Sequence, residues 1–446
     1  MNIIIVGAGE IGRHLASSLS LESHRVVLIE ADEKLAGELD PQLDAKVVYG
    51  DGTNAALLLE AGVAECQLFL ALTSSSTVNI MASSVAKKLG AGKVITRVDP
   101  GLQRNEWLFD YRSHFDIDHE FSPERLSAIE LSKFIRNPDA LVVEEIALGR
   151  IELQQVRVHK DSPVVGTSLR DLKAPDRTRV ARIGRGGETI IPTADELLEA
   201  DDVVTIFGEP RGLKTLADRL QMIDNERQRV AIFGGGEYGF CLAQMLESWN
   251  CRVRIFEKDP RRAQEISDRL SDTVVINTDG THLAELEEEQ VGDVDFFVAT
   301  SGSDEDNVMT CLQAHNLGAK RCLTLIHRAD YAEAISASGR HFGMMAAVSP
   351  REATRRDIER FVTSDRFHTV KQLGAADVIE TSLGEKAAAA GKKVSEVKWP
   401  QGCVLVGWMR GLHANVPGPD DVLEPGDILY AMVAPSVRKK FLKLVR

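Results

Sequence analysis

No apolar run in the 446 residues approaches the roughly 20 needed to cross a bilayer, so direct membrane insertion is not expected. Cysteines are few: Cys66, Cys241, Cys251, Cys311, Cys322 and Cys403, with no C-x-x-C pair among them. That scatter speaks against a disulfide frame or a zinc site and suits free thiols in a reducing cytosol. Basic residues are outnumbered, 53 against 67 acidic, for a net charge of −14. A nucleic-acid groove needs a basic patch over phosphates, so no nucleic-acid partner is expected. The opening Met1-Asn2-Ile3-Ile4-Ile5-Val6-Gly7 lacks a basic leader and runs straight into a glycine motif, which reads as a strand and not a signal peptide. Catalytic signatures are also scarce. No tyrosine is followed four residues later by lysine, and the eleven histidines are scattered. His114, Asp116, Asp118 and His119 lie where a strand enters a loop and are not expected to converge on a metal. The expectation is a cytoplasmic protein that is not an enzyme.

What the chain does have is a repeat. Residues 3–12 read I-I-I-V-G-A-G-E-I-G, and residues 230–239 read V-A-I-F-G-G-G-E-Y-G. The correspondence continues in order. Arg25-Val-Val-Leu-Ile-Glu30 matches Arg252-Val-Arg-Ile-Phe-Glu257, Gly50-Asp51-Gly52-Thr53 matches Thr278-Asp279-Gly280-Thr281, and Asn79 matches Asn307. A duplicated unit is the only economical reading. Within each copy, short β-branched runs alternate with helical patterns, which predicts a parallel sheet with crossover helices. In the first copy the strands fall at about 2–6, 25–30, 46–49, 68–72 and 93–98, with helices starting near Glu10, Glu33, Asn54 and Val78.

Ser122-Pro123-Glu124 and Ser349-Pro350-Arg351-Glu352 each open a further helix, the second as a full capping box. These helices run on through Ile135 and Val362. Leu126, Ile129, Phe134 and Ile135 form an apolar face that either docks another domain or packs on its own. Residues 140–210 and 367–435 change texture to Val-rich strands and Gly/Pro turns, each read as a small α/β module. The fold class is therefore α/β: two tandem Rossmann-like, doubly wound parallel sheets, each followed by a small module. The domains are expected at 1–137, 138–224, 228–364 and 365–446, with the charged stretch 224–229 as linker.

A lone G-x-G-x-x-G is weak evidence, but here it stands between a strand and a helix, twice, with an acidic residue ending the next strand. Gly7 permits the tight turn, Gly9 lets backbone approach a pyrophosphate, and Gly12 lets the helix pack on the sheet. Backbone N–H groups of Ala8, Glu10 and Ile11 at the helix start would hold the phosphates. Glu30 would accept hydrogen bonds from a ribose, and its charge favours NAD(H) or an adenine nucleotide over a 2′-phosphorylated one. Gly234, Gly235, Gly236, Glu237, Tyr238, Gly239 and Glu257 reproduce the set. Asp51 and Asp279 either read adenine or cap the following helix. Thr73, Ser74 and Ser301 end the fourth strands, at the sheet edge where ligands of such folds lie. Arg97 at the fifth strand could reach a phosphate, and Leu325 stands in its place in the second copy.

With these phrases in hand, the chain resembles the TrkA family of regulator-of-potassium-conductance (RCK) proteins over essentially its whole length. The resemblance is carried by G-A-G-E-I-G at 7–12 with Glu30, A-L-T-S-S at 71–75 with Asn79, F-D-I-D at 115–118 before S-P-E-R-L, and N-P-D-A-L at 137–141. In the second half it is carried by G-G-G-E-Y-G with Glu257 and A-T-S-G-S-D-E-D-N at 299–307. It implies the order RCK-N, RCK-C, RCK-N, RCK-C and NAD(H) and/or ATP/ADP as ligands. It also implies a homotetramer, peripheral on the cytoplasmic face of the inner membrane, gating a TrkH- or TrkG-like potassium channel subunit. One departure is plain: the acidic pair Asp304-Glu305 of the second copy is Ser76-Thr77 in the first. The rival readings are an NAD-dependent oxidoreductase and a regulator of another cation channel or a potassium/proton antiporter.

Overall fold

The first repeat runs β1 (Asn2–Val6), α1 (Glu10–Leu21), β2 (Arg25–Glu30), α2 (Glu33–Leu39), β3 (Lys46–Tyr49), α3 (Ala55–Glu60), β4 (Leu68–Ala71), α4 (Ser76–Lys88) and β5 (Lys93–Arg97). It continues through two short helices, α5 (Pro100–Arg104) and α6 (Tyr111–His114), to β6 (His119–Phe121) and α7 (Pro123–Arg136). All its strands are parallel, in the order β3-β2-β1-β4-β5-β6. The chain reverses direction across the sheet between β1 and β4, which opens a crevice at their C-terminal ends. Helices cover both faces, so β1 is buried along Ile3, Ile4 and Ile5 and reads as an unbroken apolar run. The sixth strand is only three residues long and opens on His119-Glu120, later than the strand expected around 114–119, because so short a run carries too little pattern to fix its bounds.

The first module follows with β7 (Val142–Ile146), β8 (Ile151–Arg157), β9 (Thr178–Arg185), β10 (Glu188–Ile190), β11 (Val203–Gly208) and α8 (Pro210–Gln221). The second repeat is β12 (Gln228–Phe233), α9 (Glu237–Glu247), β13 (Cys251–Glu257), α10 (Pro260–Ser267), β14 (Val274–Asn277), α11 (Leu283–Glu288), β15 (Phe296–Ala299), α12 (Asp304–Leu317), β16 (Arg321–Leu325), β17 (Met344–Val348) and α13 (Pro350–Val362). Its sheet, β14-β13-β12-β15-β16-β17, has the topology of the first. The second module comprises β18 (His368–Gln372), β19 (Asp377–Ser382), β20 (Cys403–Arg410), β21 (His413–Asn415), β22 (Ile428–Val433) and α14 (Arg438–Val445). The module sheets are antiparallel and share one topology, β10-β9-β11-β8-β7 and β21-β20-β22-β19-β18. This computed structural model describes residues 1–446 except 105–107, 148–149, 224–226, 329–330, 333–334, 336–342, 363–366, 374–375 and 411–412. Residues 224–226 of the expected linker thus lie outside the described residues.

Like packs with like, and not with its neighbour in sequence. One compact unit is Met1–Ile135 with Arg227–Val362; the other is Arg136–Glu226 with Thr363–Arg446. In the first unit the two repeats exchange helices. Ala128, Leu131 and Ile135 of α7, with Phe134, enter the core of the second repeat beside Val230, Ile255, Phe296 and Leu323. Ile358 and Val362 of α13, with Phe361, enter the core of the first beside Ile3, Leu15, Leu28 and Leu70. His119 of β6 also pairs with Asp357 of α13 at 2.7 Å. The apolar face expected on α7 is therefore a docking face at Phe134 and Ile135, while Leu126 packs on its own domain. In the second unit the modules share a core, with Leu153 and Phe207 of one against Val378, Val406 and Tyr430 of the other.

Candidate functional site

Each glycine loop is shaped by the residues that follow it. Gly7 and Gly234 have φ of +98° and +97°, a conformation that side-chain-bearing residues rarely adopt. Gly9 and Gly236 are the N-caps of α1 and α9, in extended conformation. A Cβ built on either meets no atom within 4 Å. The space above both helix starts is therefore open, with N–H groups facing it, which fits a nucleotide phosphate. Ile11 turns away from this face into the core of its own repeat.

The acidic residues at the strand ends brace these loops. Glu30 accepts from Ala8 N at 2.7 Å and Asp32 N at 2.9 Å, and Glu257 accepts from Gly235 N and Asp259 N, both at 2.8 Å. Each carboxylate is thus positioned beside its loop, with lone pairs left for ribose hydroxyls. Asp51 and Asp279 do not cap the next helix in the manner considered above. Each carboxylate instead accepts from the N–H and hydroxyl of the threonine two residues on, and Asn54 caps α3.

Thr73 and Ser301 stand at the crevice because of a buried asparagine that sequence matching brought out but did not give a role. Asn79 accepts from Thr73 N at 2.9 Å and donates to the carbonyls of Thr73 and Arg97, at 2.9 and 3.0 Å. Asn307 repeats this with Ser301 and Leu325. A fully buried amide satisfied on both sides locks the ends of the fourth and fifth strands together. Ser74 is exposed beside Thr73. Arg97 is already paired, 3.1 Å from Glu124. Tyr238 has a second neighbourhood besides its own loop: burial, then the charges of Glu124 and Glu10, raise its hydroxyl pKa against the opposing influence of Arg97.

The four histidines and aspartates near 114–119 go separate ways, and His114, expected on a strand, instead ends α6 with its ring against Phe109. Asp118 pairs with Lys87 at 2.7 Å, Asp116 with Lys88 at 2.5 Å, and His119 with Asp357. No cluster suited to a metal ion occurs among the described residues.

The departure at Asp304 has a structural role. Burial alone would push this carboxyl up, but the N–H groups of His327 and Arg328 and the His327 ring together hold it below the usual aspartate range. In the first repeat, Ser76 does the same work with one hydroxyl, accepting from Asp99 N at 2.8 Å. Asp304→Asn is expected to cost roughly 2 kcal/mol at neutral pH, because an amide cannot accept from three donors. A carboxyl depressed in the folded state stabilises above its unfolded pKa. The difference between wild type and variant should therefore hold down to about pH 4 and close as pH falls further. Urea unfolding at a series of pH values measures it.

The TrkA-N domain model matches residues 3–106 and 230–350, and the TrkA-C domain model matches residues 153–221 and 378–446. The Trk system potassium uptake protein TrkA of Halomonas elongata is 32% identical, over 97% of this chain and 96% of that protein. TrkA homolog 1 of Methanosarcina mazei is 30% identical, over 99% of this chain and 100% of that protein. Among solved structures, the GsuK RCK domain aligns with a TM-score of 0.57 at 18% identity, over 100% of this chain and 94% of that one. A GsuK channel bound to NAD aligns with the same TM-score, over 100% of this chain and 78% of that one. At that identity the likeness concerns fold, whereas the domain matches run through both halves of the sequence. The chain belongs to the TrkA family.

Proposed function

We propose that this protein is the cytoplasmic regulatory subunit of a Trk-type potassium transport system, gating a TrkH- or TrkG-like membrane subunit by binding NAD(H) and/or ATP/ADP. Its relatives are named for potassium uptake, and one solved structural neighbour is bound to NAD and another to ADP. The observation that carries the reading is the pair of matched open loops, each ending on an N-capping glycine and braced by an acidic residue. In this reading residues 7–12, Glu30, Asp51, Thr73, Ser74 and Arg97 line the first cleft. Residues 234–239, Glu257, Asp279 and Ser301 line the second. Residues 1–137 and 228–364 are the binding domains, with 138–224 and 365–446 as the small modules. The subunits form a homotetramer that sits against the inner membrane through its partner; no described helix is long and apolar enough to cross one. No catalysis is assigned. Glu30 and Glu257 hold backbone, and Asp304 fastens the His327 ring and N–H.

Gating then needs only differential affinity. Moving a two-state gate from 1:99 to 99:1 takes roughly 10⁴-fold, which four sites of about tenfold preference each supply. A ligand that favoured neither state would gate nothing. The test is calorimetric titration of wild type, Gly9→Val and Gly236→Val with NADH, ATP and ADP, paired with small-angle scattering of the assembly. Both substitutions enter open space, so the fold is expected to persist while each variant loses one cleft. Undiminished binding in both variants, or one scattering profile with and without ligand, would refute the reading.

A further inference from the structure

Both glycine loops are followed by a glutamate at the first helical position, and both glutamates hold an arginine, but the arginines come from different places. Glu237 pairs with Arg262 at 2.9 Å. Arg262 belongs to α10 of the same repeat, and its guanidinium is fully engaged, donating also to Gly235 O at 2.8 Å and pairing with Glu265 at 2.9 Å. Glu10 pairs instead with Arg351 at 3.1 Å. Arg351 stands in the first turn of α13, the helix that the second repeat lends to the core of the first. At the matching place in α7 the chain has Glu124, which faces Arg97 within its own repeat. The charge reversal between Glu124 and Arg351 is therefore what sends an arginine across to the first cleft.

Arg351 is not saturated there. Its Nε is buried and has no acceptor among the described residues. It borders a cavity of about 310 Å³ lined by His14, Phe134, Glu352 and Arg356, so the side chain is not packed on every side. Glu10 is half-exposed at the N-terminus of α1. A carboxylate at that position is favourable in an empty cleft and unfavourable beside a polyphosphate, since both compete for the same positive helix end. A guanidinium next to it serves both states. It balances Glu10 when no ligand is present and can turn to phosphoryl oxygens, which its planar fork matches well.

We infer that Arg351 is a phosphate-contacting residue that the second Rossmann domain supplies to the first cleft, exchanging Glu10 for a nucleoside polyphosphate. The inference rests on the nucleotide-binding reading above. It makes the clefts unequal in function. A ligand in the first cleft pulls on a helix rooted in the other domain, so that cleft reports its occupancy across the pair. The second cleft takes the arginine that holds its helix-start glutamate, Arg262, from its own repeat.

The test uses the full chain carrying Gly236→Val, in which the first cleft is read alone. Arg351→Gln is expected to weaken ATP binding about tenfold, ADP less and NADH least, in the order of phosphate charge. Arg351→Lys should recover part of the loss. ATP should slow amide exchange in residues 350–362 of the parent, and not of the glutamine variant. Thermal melting checks that both variants are folded. Unchanged ATP affinity in Arg351→Gln, or exchange in 350–362 that ignores ATP, overturns the inference while the nucleotide reading stands. No ATP binding by the parent overturns the inference, and no binding of NADH, ATP or ADP by the wild-type chain as well overturns both.

Discussion

Gly12→Ala and Gly239→Ala are expected to unfold or grossly destabilise their domains, although each adds a single methyl group. A Cβ on Gly12 would lie inside the contact radius of the Gly7 carbonyl oxygen, and one on Gly239 would meet the Gly234 carbonyl in the same way. Neither oxygen can step aside. Gly7 N–H is tied to Ile29 O at 2.8 Å and Gly234 N–H to Phe256 O at 3.0 Å, so both loops are stitched to the neighbouring strand. A forced shift of backbone in a packed interior costs on the order of 3 kcal/mol or more, a large share of a domain's stability. Three residues earlier in each loop the outcome reverses, since a side chain at Gly9 or Gly236 finds open space. Chemical denaturation of the four variants separates the two roles. An alanine at 12 or 239 that melts with wild type would show that the loop is not held as described.

Leu131→Ala should destabilise the second Rossmann domain although Leu131 lies in the first repeat. Leu131 is fully buried, among Phe240, Leu242, Ile255 and Phe296 of the other domain. Truncating such a leucine removes transfer energy and leaves a cavity, together about 2–5 kcal/mol. Hydrogen exchange gives the decisive reading. Protection should fall in β12, β13 and β15, with β1, β2 and β4 less affected. Ile358→Val, on α13, should produce the mirror image more mildly, since it removes one methylene from the first domain's core. Loss confined to the variant's own repeat would contradict the exchanged packing.

Much of this molecule was legible before folding was considered. The duplicated glycine motifs, the alternation of β-branched runs with helical patterns, and Glu30 and Glu257 at strand ends all express local rules. A tight turn needs glycine, and a sheet covered on both faces needs unbroken apolar strands. A strand entering a loop was expected near 114–119, but three residues carry no period to fix its bounds, and β6 begins only at His119. The antiparallel order of the modules was not legible either, because pairing partners lie far apart in sequence.

The site divides in the same way. The loop glycines and the acid that ends the next strand recur at a fixed spacing, so motif reading reached them. Arg262 escaped because its position in the first repeat holds Leu35, and a repeat comparison draws attention to matches. Arg351 escaped for a deeper reason. It is a first-turn residue of one repeat, and nothing near it in sequence points to Glu10 of the other.

The repeat named at the outset thus has two levels of meaning. That there are two nucleotide-type clefts is written in local sequence, because each cleft is built within one repeat by turn geometry and a helix end. That the repeats exchange α7 and α13, and that the first cleft borrows its arginine, was decided by tertiary packing. An apolar helix face carries no address. Leu131 and Ile358 are both fully buried, each in the core of the other repeat, and only the assembled pair shows which core that is.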